Sequence, residues 1–537
     1  MALSEFSLFL ANRIQEKGTV PIAFLAERYG KSPSTVRRCI ADLNEFLPPP
    51  KRFVTTDAAV VSRANYPDLV ALIQSLSISD YVTTISERLD YLLALSLTEE
   101  FINFSSMYDV LAISQSTRKK DRGSLVRLLD ELGFSMSSFP AKGIQIQGRE
   151  DHYRIRLSEV FAQVIEIDHN DRVVPRLANN PLQRLIFEEI ELCLNRFGAS
   201  LSDLVAMLRA HRIQLSYSSK KLLYVYYVVA CYRASQRHGL AGIELARTAN
   251  YPIFVDDGAG DGGYDVTSGE EREAGITLND GENLLANALL ASLDSTTELK
   301  IAHSEKIWGM CESFVDAVEA RIVTTFYSKR ALVREIYRYI SKLSIRRALR
   351  YDFYDNKLDD VSEELSFLFD QVGRAYAEHL ESFITLNEAQ LSTLTLILRK
   401  HVLANKIAGR NTKKVVLISN SAIEKTGFFA ELLQYHFDVE VVATLNIAEL
   451  HVLHDLDFEE LICFSNRIAK SLHDLGFHCI KVPYFLHHED IDYLLGLGFS
   501  SNSHRKLLAS EFTRRFAEDN PPDIEDYLRR TYPNIFI

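Results

Sequence analysis

Apolar side chains recur along most of this chain at the three-to-four-residue interval of a helix buried on one face. Leu3, Phe6, Leu10 and Ile14 trace a first amphipathic helix, closed at Lys17-Gly18, and Val20 to Tyr29 gives a second. Gly30 makes the turn into a third, which Ser32-Pro33 opens and which runs through Leu47. There serine caps the helix, and proline takes the first position, where its missing N–H leaves no bond unmade. Val36, Ile40, Leu43 and Leu47 form the buried back of this helix, and Ser34, Thr35, Arg37 and Arg38 remain exposed. Three short helices followed by Pro48 to Pro50 and a wing carrying Lys51 and Arg52 have the size and pattern of a helix-turn-helix unit.

A second such unit follows. From Tyr66 to Tyr108 the apolar spacing is helical, with Ile85, Leu89, Leu92 and Leu93 on one face, and Met107 to Ile113 reads as a positioning helix. Ser114 caps the next helix, SQSTRKKDRGSLVRLLDELG, in which Leu125, Leu128, Leu129 and Leu132 fall at i, i+3, i+4 and i+7. Arg118, Lys119, Lys120 and Arg122 sit in its first turns, away from that stripe. Ser116 and Thr117 lie where free N–H groups and the positive dipole end would meet a phosphate. Two short strands joined by a turn follow in FSMSSFPAKGIQIQG, with Lys142 at the tip. This is the pattern of a recognition helix and its wing, which enters the major groove by its N-terminal end.

From about His152 to Lys406 the pattern is almost wholly helical, in two blocks separated by the Gly- and acid-rich segment Asp256 to Gly275, which cannot hold a core. At Asn411 the character changes. Lys413 to Ser419, Val439 to Thr444, Leu461 to Phe464 and Cys479 to Val482 read as buried strands alternating with helices, which implies a small α/β unit with a parallel sheet. The resulting division is 1–62, 63–151, 152–279, 280–408 and 409–499, with a charged helical tail over 500–537.

Charge sharpens the picture. The 537 residues carry a net charge of −12, yet Ser114 to Arg156 holds nine Lys/Arg against five Asp/Glu, as a nucleic-acid-binding end on an acidic body would. The six cysteines are scattered without metal-clip or redox-motif spacing, which fits free thiols in a reducing cytoplasm. The most apolar run, Leu222 to Cys231, is too short to span a bilayer, so no membrane association is expected.

The order of these parts resembles the bacterial transcription regulators with phosphotransferase-system regulation domains (PRDs). SQSTRKKDRGSLVRLLDELGF and KGIQIQGREDHYR look like that family's recognition helix and lysine-glycine wing, and the tandem reader is similar to the Mga and AtxA branch of virulence regulators. The resemblance implies a mainly α, multidomain protein: tandem winged helix-turn-helix units, two helical PRD-like bundles, and a C-terminal α/β domain like enzyme IIB. It also implies phosphate acceptors that this chain lacks. Tyr226, Tyr339 and Ile397 stand where histidines are usual, and in LISNSAIEKTG Ser419 replaces the phosphocysteine while Glu424 replaces a small residue. A serine hydroxyl is a poor acceptor beside a thiolate, and a glutamate repels phosphate.

Regulatory phosphorylation therefore has no assigned site; among His211, His238, His303, His379 and His401, the candidates are His303 and His379. His487-His488-Glu489-Asp490 reads as a solvated helix cap rather than a metal site, because adjacent histidines face apart. No paired carboxylates, Ser/His/Asp spacing or phosphate-cradling glycine loop emerges, so no enzyme, metal or cofactor is expected. The expectation is a cytoplasmic, homodimeric activator bound to promoter DNA through Ser34, Thr35, Arg37, Arg38, Ser116, Thr117, Arg118, Lys119, Lys120, Arg122 and Lys142, with RNA polymerase or phosphotransferase-system proteins as further partners. The alternatives are a PRD-containing RNA-binding antiterminator, which would begin with a strand-rich domain, and an interaction protein derived from the phosphotransferase system that does not bind DNA.

Overall fold

The computed structural model describes residues 2–198, 201–240, 280–296, 304–322, 326, 329–351, 361–403, 413–497 and 499, with the single positions 516, 524 and 527. Segment 256–275, His303 and the tail 500–537, apart from those single positions, lie outside the described residues. The described residues form two compact units, one within 1–206, 221–242 and 267–283 and the other within 207–220, 243–266 and 284–537. This is a coarser division than the six segments expected from sequence.

The first unit begins with β1 (Leu3–Ser4), α1 (Glu5–Lys17), β2 (Thr19–Pro21), α2 (Ile22–Arg28), α3 (Pro33–Phe46), β3 (Val54–Thr55) and β4 (Ala59–Val61). Ser32 caps α3, its hydroxyl accepting from the Thr35 N–H at 3.2 Å. Leu10, Ile14, Leu25, Val36, Ile40 and Leu43 close the core of this bundle. The second helix starts later than the apolar run implied: Thr19 to Pro21 pair antiparallel with Ala59 to Val61, so the chain enters α2 from a strand. Lys51 and Arg52 precede the wing rather than form it. Lys51 is bonded to Asp68, the Arg52 side chain donates to the Leu47 carbonyl at 3.2 Å, and the turn lies at 56–58 between β3 and β4.

Next come α4 (Tyr66–Ser75), β5 (Tyr81–Val82), α5 (Ile85–Thr98), α6 (Phe104–Val110), α7 (Gln115–Glu131), β6 (Ser135–Phe139), β7 (Gly143–Gln147) and α8 (Glu150–Ala162). β5 pairs in parallel with β1, tying the start of the first helical bundle to the entrance of the second. The helix before α7 begins at Phe104, three residues ahead of the expected start, because the Asn103 side chain accepts from the Ser105 and Ser106 N–H groups and caps it there.

Segment 152–406 is not purely helical. β8 (Ile165–Ile167) and β9 (Val173–Pro175) form a hairpin whose turn is held by Asp168, which accepts from the N–H groups of Asn170 and Arg172 at 2.8 and 2.9 Å. Then follow α9 (Leu182–Phe197), α10 (Leu201–Ala210), α11 (Tyr217–Ser235) and α12 (Asp280–Ser292). On α8, Arg154 is fully buried and donates to Glu150 at 2.9 Å, to Glu282, and to the His238 carbonyl at 2.6 Å. Arg233 adds two bonds to Glu150, so this buried cation is matched by carboxylates and a carbonyl.

In the second unit α13 (Glu305–Ile322), α14 (Lys329–Ala348), α16 (Ser366–His379) and α17 (Glu388–Leu403) bury Phe314, Val315, Ile336, Ile340, Val372 and Ile397 among themselves, and the short α15 (Val361–Glu364) adds Val361 to the core of the sheet that follows. A four-stranded sheet follows, built from β10 (Lys413–Ile418), β11 (Val439–Leu445), β12 (Glu460–Cys463) and β13 (Ile480–Lys481). All its pairs are parallel, in the order β11-β10-β12-β13. α18 (Ile423–His436), α19 (Asn466–Asp474) and α20 (His488–Gly496) connect or flank the strands. Val415, Leu417 and Ile462 pack against Phe428, Phe429 and Leu433 of α18, as a parallel sheet covered by helices requires.

Candidate nucleic-acid interface

The sequence places one helix at the centre of the site, and the structure shows what aims it. The turn between α6 and α7 passes through Ala112 at φ +53°, a left-handed conformation uncommon for a residue with a side chain. It is closed by the Ala112 and Ile113 N–H groups donating to the Asp109 and Tyr108 carbonyls. Ser114 then caps α7 through the Thr117 N–H. Leu125 and Leu129 are fully buried, and Leu128 and Leu132 are half-buried. Each fully buried leucine contributes about 1.5–3 kcal/mol to docking the helix.

The same stripe also carries a charge. Asp121 is buried one turn before Leu125, facing Arg88 of α5. The guanidinium donates to its carboxylate from Nε at 3.1 and 3.0 Å and from Nη2 at 2.5 Å, while Nη1 donates to the Thr83 carbonyl and, at 3.1 Å, to its hydroxyl. Burial, then the Asp121 carboxylate, push the Tyr108 phenol above its ordinary pKa. No local signal reveals this pair, because the KKDR tetrad reads as an ordinary solvated run and its partner lies 33 positions upstream.

The basic residues divide by role. Lys119, Lys120 and Arg122 are exposed. Arg118 is half-buried: its Nε donates to the Ile113 carbonyl at 2.8 Å, its Nη2 to Asp109 at 2.6 Å, and its guanidinium lies 5.7 Å from the Tyr108 ring centre. It braces the α6–α7 turn. Arg122 lies over Phe104 and donates to the Ser138 hydroxyl at 2.7 Å, linking helix to wing. Ser116, Thr117 and Lys120 line a shallow cavity of about 350 Å³ together with Ile85, Arg88, Asp121 and Ser124.

The wing is β6 and β7, with Lys142 in the turn between them and its ammonium 4.9 Å from the Phe101 ring centre. Its turn end is fixed by paired bonds between Ile102 and Ile144, at 2.8 and 2.9 Å. Gly143 permits this approach. Its φ is +123°, and a Cβ there would stand 2.4 Å from the Ile102 carbonyl oxygen. In the first bundle Ser34, Arg37 and Arg38 are exposed on α3, Thr35 is half-buried, and Arg37 donates to the Asp57 carbonyl of the wing turn at 3.0 Å.

Residues 75–161 match the Mga helix-turn-helix domain. The match runs from the end of α4 through α5, α6, α7 and the wing to the last turn of α8, and so contains the whole site built around the second recognition helix. The Mga-type domain thus marks a DNA-binding transcription regulator. No curated protein matches the chain.

The positions considered for phosphate lie elsewhere. Tyr226 and Ile397 are buried on α11 and α17, and Tyr339 is buried on α14 with its hydroxyl donating to the Gln390 carbonyl at 3.0 Å. Ser419 follows β10; its hydroxyl accepts from the Ser421 N–H at 3.1 Å and lies 3.2 Å from the Tyr484 hydroxyl. His379 ends α16, half-buried and 3.8 Å from Glu378. His487 caps α20, its N–H donating to Asp490 at 3.0 Å. Among the described residues no helix is long and apolar enough to cross a membrane.

Proposed function

We propose that this chain is a sequence-specific transcription activator that binds promoter DNA as a homodimer through two winged helix-turn-helix units. The observation that carries the reading is the exposed edge of α7, Lys119, Lys120 and Arg122, within a stretch that matches the Mga helix-turn-helix domain. Ser116 presents its N–H at the helix start, Thr117 lies beside it with its own N–H engaged by the Ser114 cap, and Lys142 adds a cation at the wing. Ser34, Thr35, Arg37 and Arg38 serve the first unit in the same way. Arg118 acts indirectly, by holding the turn that aims the helix.

The remainder is a regulatory body without enzymatic activity, derived from two PRD-like bundles and an enzyme-IIB-like domain, used for signal sensing and dimerisation. The hydrogen bonds that already occupy the hydroxyls of Ser419 and Tyr339 support binding rather than phosphotransfer as its role. RNA polymerase and phosphotransferase-system proteins are the partners this reading implies, and the cytoplasm is its compartment.

The test is selection of genomic fragments by the purified protein at near-physiological salt with competitor DNA, followed by titration of an enriched site. A few promoter-region sites should be enriched. Lys119→Ala and Lys120→Ala should each weaken binding across all sequences and reduce the salt slope by about one, whereas Arg122→Ala should cost roughly 1–3 kcal/mol if it reads a base edge. Unchanged binding in the combined variant would refute the assignment.

A further inference from the structure

Two of the six cysteines that are far apart in sequence meet in the sheet of the second unit. Cys463 is the last residue of β12, and Cys479 directly precedes β13. The strands pair with Ile462 opposite Ile480 and Cys463 opposite Lys481, so positions 463, 479 and 481 share one face of the pleat. The two Sγ atoms stand 3.7 Å apart. About 1.7 Å of side-chain movement would bring them to disulfide bonding distance.

The pair is asymmetric in a way that assigns roles. Cys463 is wholly buried, whereas Cys479 is partly exposed. With the Cys463 thiol donating, its hydrogen bond to the Cys479 sulfur holds the Cys479 thiol below its ordinary pKa, and the same bond, followed by burial, pushes the Cys463 thiol up. The solvent-reached sulfur is thus the one that more readily carries the reactive thiolate. The other four cysteines, Cys39, Cys193, Cys231 and Cys311, are buried on α3, α9, α11 and α13.

We propose that Cys463 and Cys479 form a redox-modification site that a hydroperoxide converts to an intramolecular disulfide. The Cys479 thiolate attacks the terminal peroxide oxygen; an S–O bond forms, the O–O bond breaks, and the leaving oxygen takes up a proton as an alcohol or water. Sulfur is oxidised by two electrons to the sulfenic acid and the peroxide is reduced. The Cys463 sulfur then attacks the Cys479 sulfur. The S–S bond forms, the S–O bond breaks, and hydroxide leaves with the Cys463 proton as water. Two thiols and one hydroperoxide yield one disulfide, one alcohol or water, and one further water.

The place of the pair gives the modification something to act on. The Cys463 carbonyl accepts from the Val482 N–H at 3.0 Å, and the ring of Phe464 stacks on Tyr484 at 4.4 Å. The Tyr484 hydroxyl in turn bonds Ser421 and lies beside Ser419. A link between 463 and 479 would tie the carboxyl end of the central strand β12 to the start of the edge strand β13, close to the carboxyl side of an open parallel sheet, where ligands bind.

The experiment treats the full-length reduced protein with a small excess of hydrogen peroxide, blocks remaining thiols with an alkylating reagent, and maps peptides without reduction. Two of the six thiols should be lost, a peptide linking 463 to 479 should appear, and dithiothreitol should restore both. Cys463→Ser should yield no linked peptide and a Cys479 sulfenic acid captured by a cyclic dione. Full alkylation of both cysteines in the oxidised wild-type protein, or overoxidation of Cys479 without a linked peptide, would overturn the proposal. Peroxide-dependent loss of the Cys463 thiol in Cys479→Ser would overturn the assignment of Cys479 as the first site oxidised.

Discussion

Replacing Asp121 by alanine removes one half of a buried ion pair while leaving the other in place. Arg88 is buried as well and makes three contacts to the Asp121 carboxylate. An uncompensated buried charge of this kind costs about 3–5 kcal/mol. Because the Thr83 carbonyl and hydroxyl still accept from Arg88, the lower end, about 3 kcal/mol, is expected. At 1.4 kcal/mol per factor of ten, hydrogen exchange of the α7 amides should speed up by roughly 100-fold. DNA affinity should fall with it. The sign is decisive, since removing an ordinary solvated carboxylate beside a phosphate-binding edge would raise affinity. The paired replacement Arg88→Met with Asp121→Leu should recover most of the protection, because an apolar pair of similar volume is neutral or stabilising in such a place. Unchanged α7 protection in Asp121→Ala, or tighter DNA binding, would refute the claim that this pair docks the helix.

Three further outcomes follow from the same reasoning. Gly143→Ala sets a methyl group against the Ile102 carbonyl at a backbone angle that disfavours any side chain; it should lower stability by about 1–3 kcal/mol and weaken DNA binding, and an unchanged thermal midpoint would contradict it. Burial raises the Glu150 pKa, but the hydrogen bonds and charges of Arg233 and Arg154 outweigh it and hold the carboxyl below its ordinary value. Its stabilisation is therefore present above about pH 4.5 and lost as pH falls through the depressed value, and Glu150→Gln should flatten that acid limb in unfolding titrations. Glu424 behaves oppositely, pushed up to about 7 by burial and then by Asp294. The folded state holds this proton more tightly, so stability should decline as pH rises from about 4.5 through 7; Glu424→Gln should abolish that decline in urea midpoints taken between pH 5 and 8.

What could be read from sequence was local and periodic. The leucine stripe of α7, the Ser32 and Ser114 caps and the wing turn are set by neighbours within a few residues, and buried parallel strands announce themselves as unbroken apolar runs such as VVLI. Charge was misleading wherever a partner lay far along the chain. Arg118 read as one of the exposed cations of the first turns, yet it is bonded into the preceding turn, and Asp121 beside it is buried against Arg88. The hairpin of β8 and β9 has three residues per strand, too few for an alternation to stand out within a helical stretch. Cys463 and Cys479 carry no motif spacing, because the βα crossover between their strands, not a short loop, brings them together.

The parallel pairing of Leu3 with Tyr81 and of Ser4 with Val82 also orders events during synthesis. The chain grows from its amino end at about 5–20 residues per second, so the first strand exists for roughly 4–16 s before the segment it pairs with has been made. Over that interval the first bundle can assemble its helices but not its outermost strand, and its first turn is capped only by Ser4. Completion of the first reader is thereby coupled to the arrival of the second, and a ribosome that stalls between the two leaves an open strand edge exposed for as long as it waits.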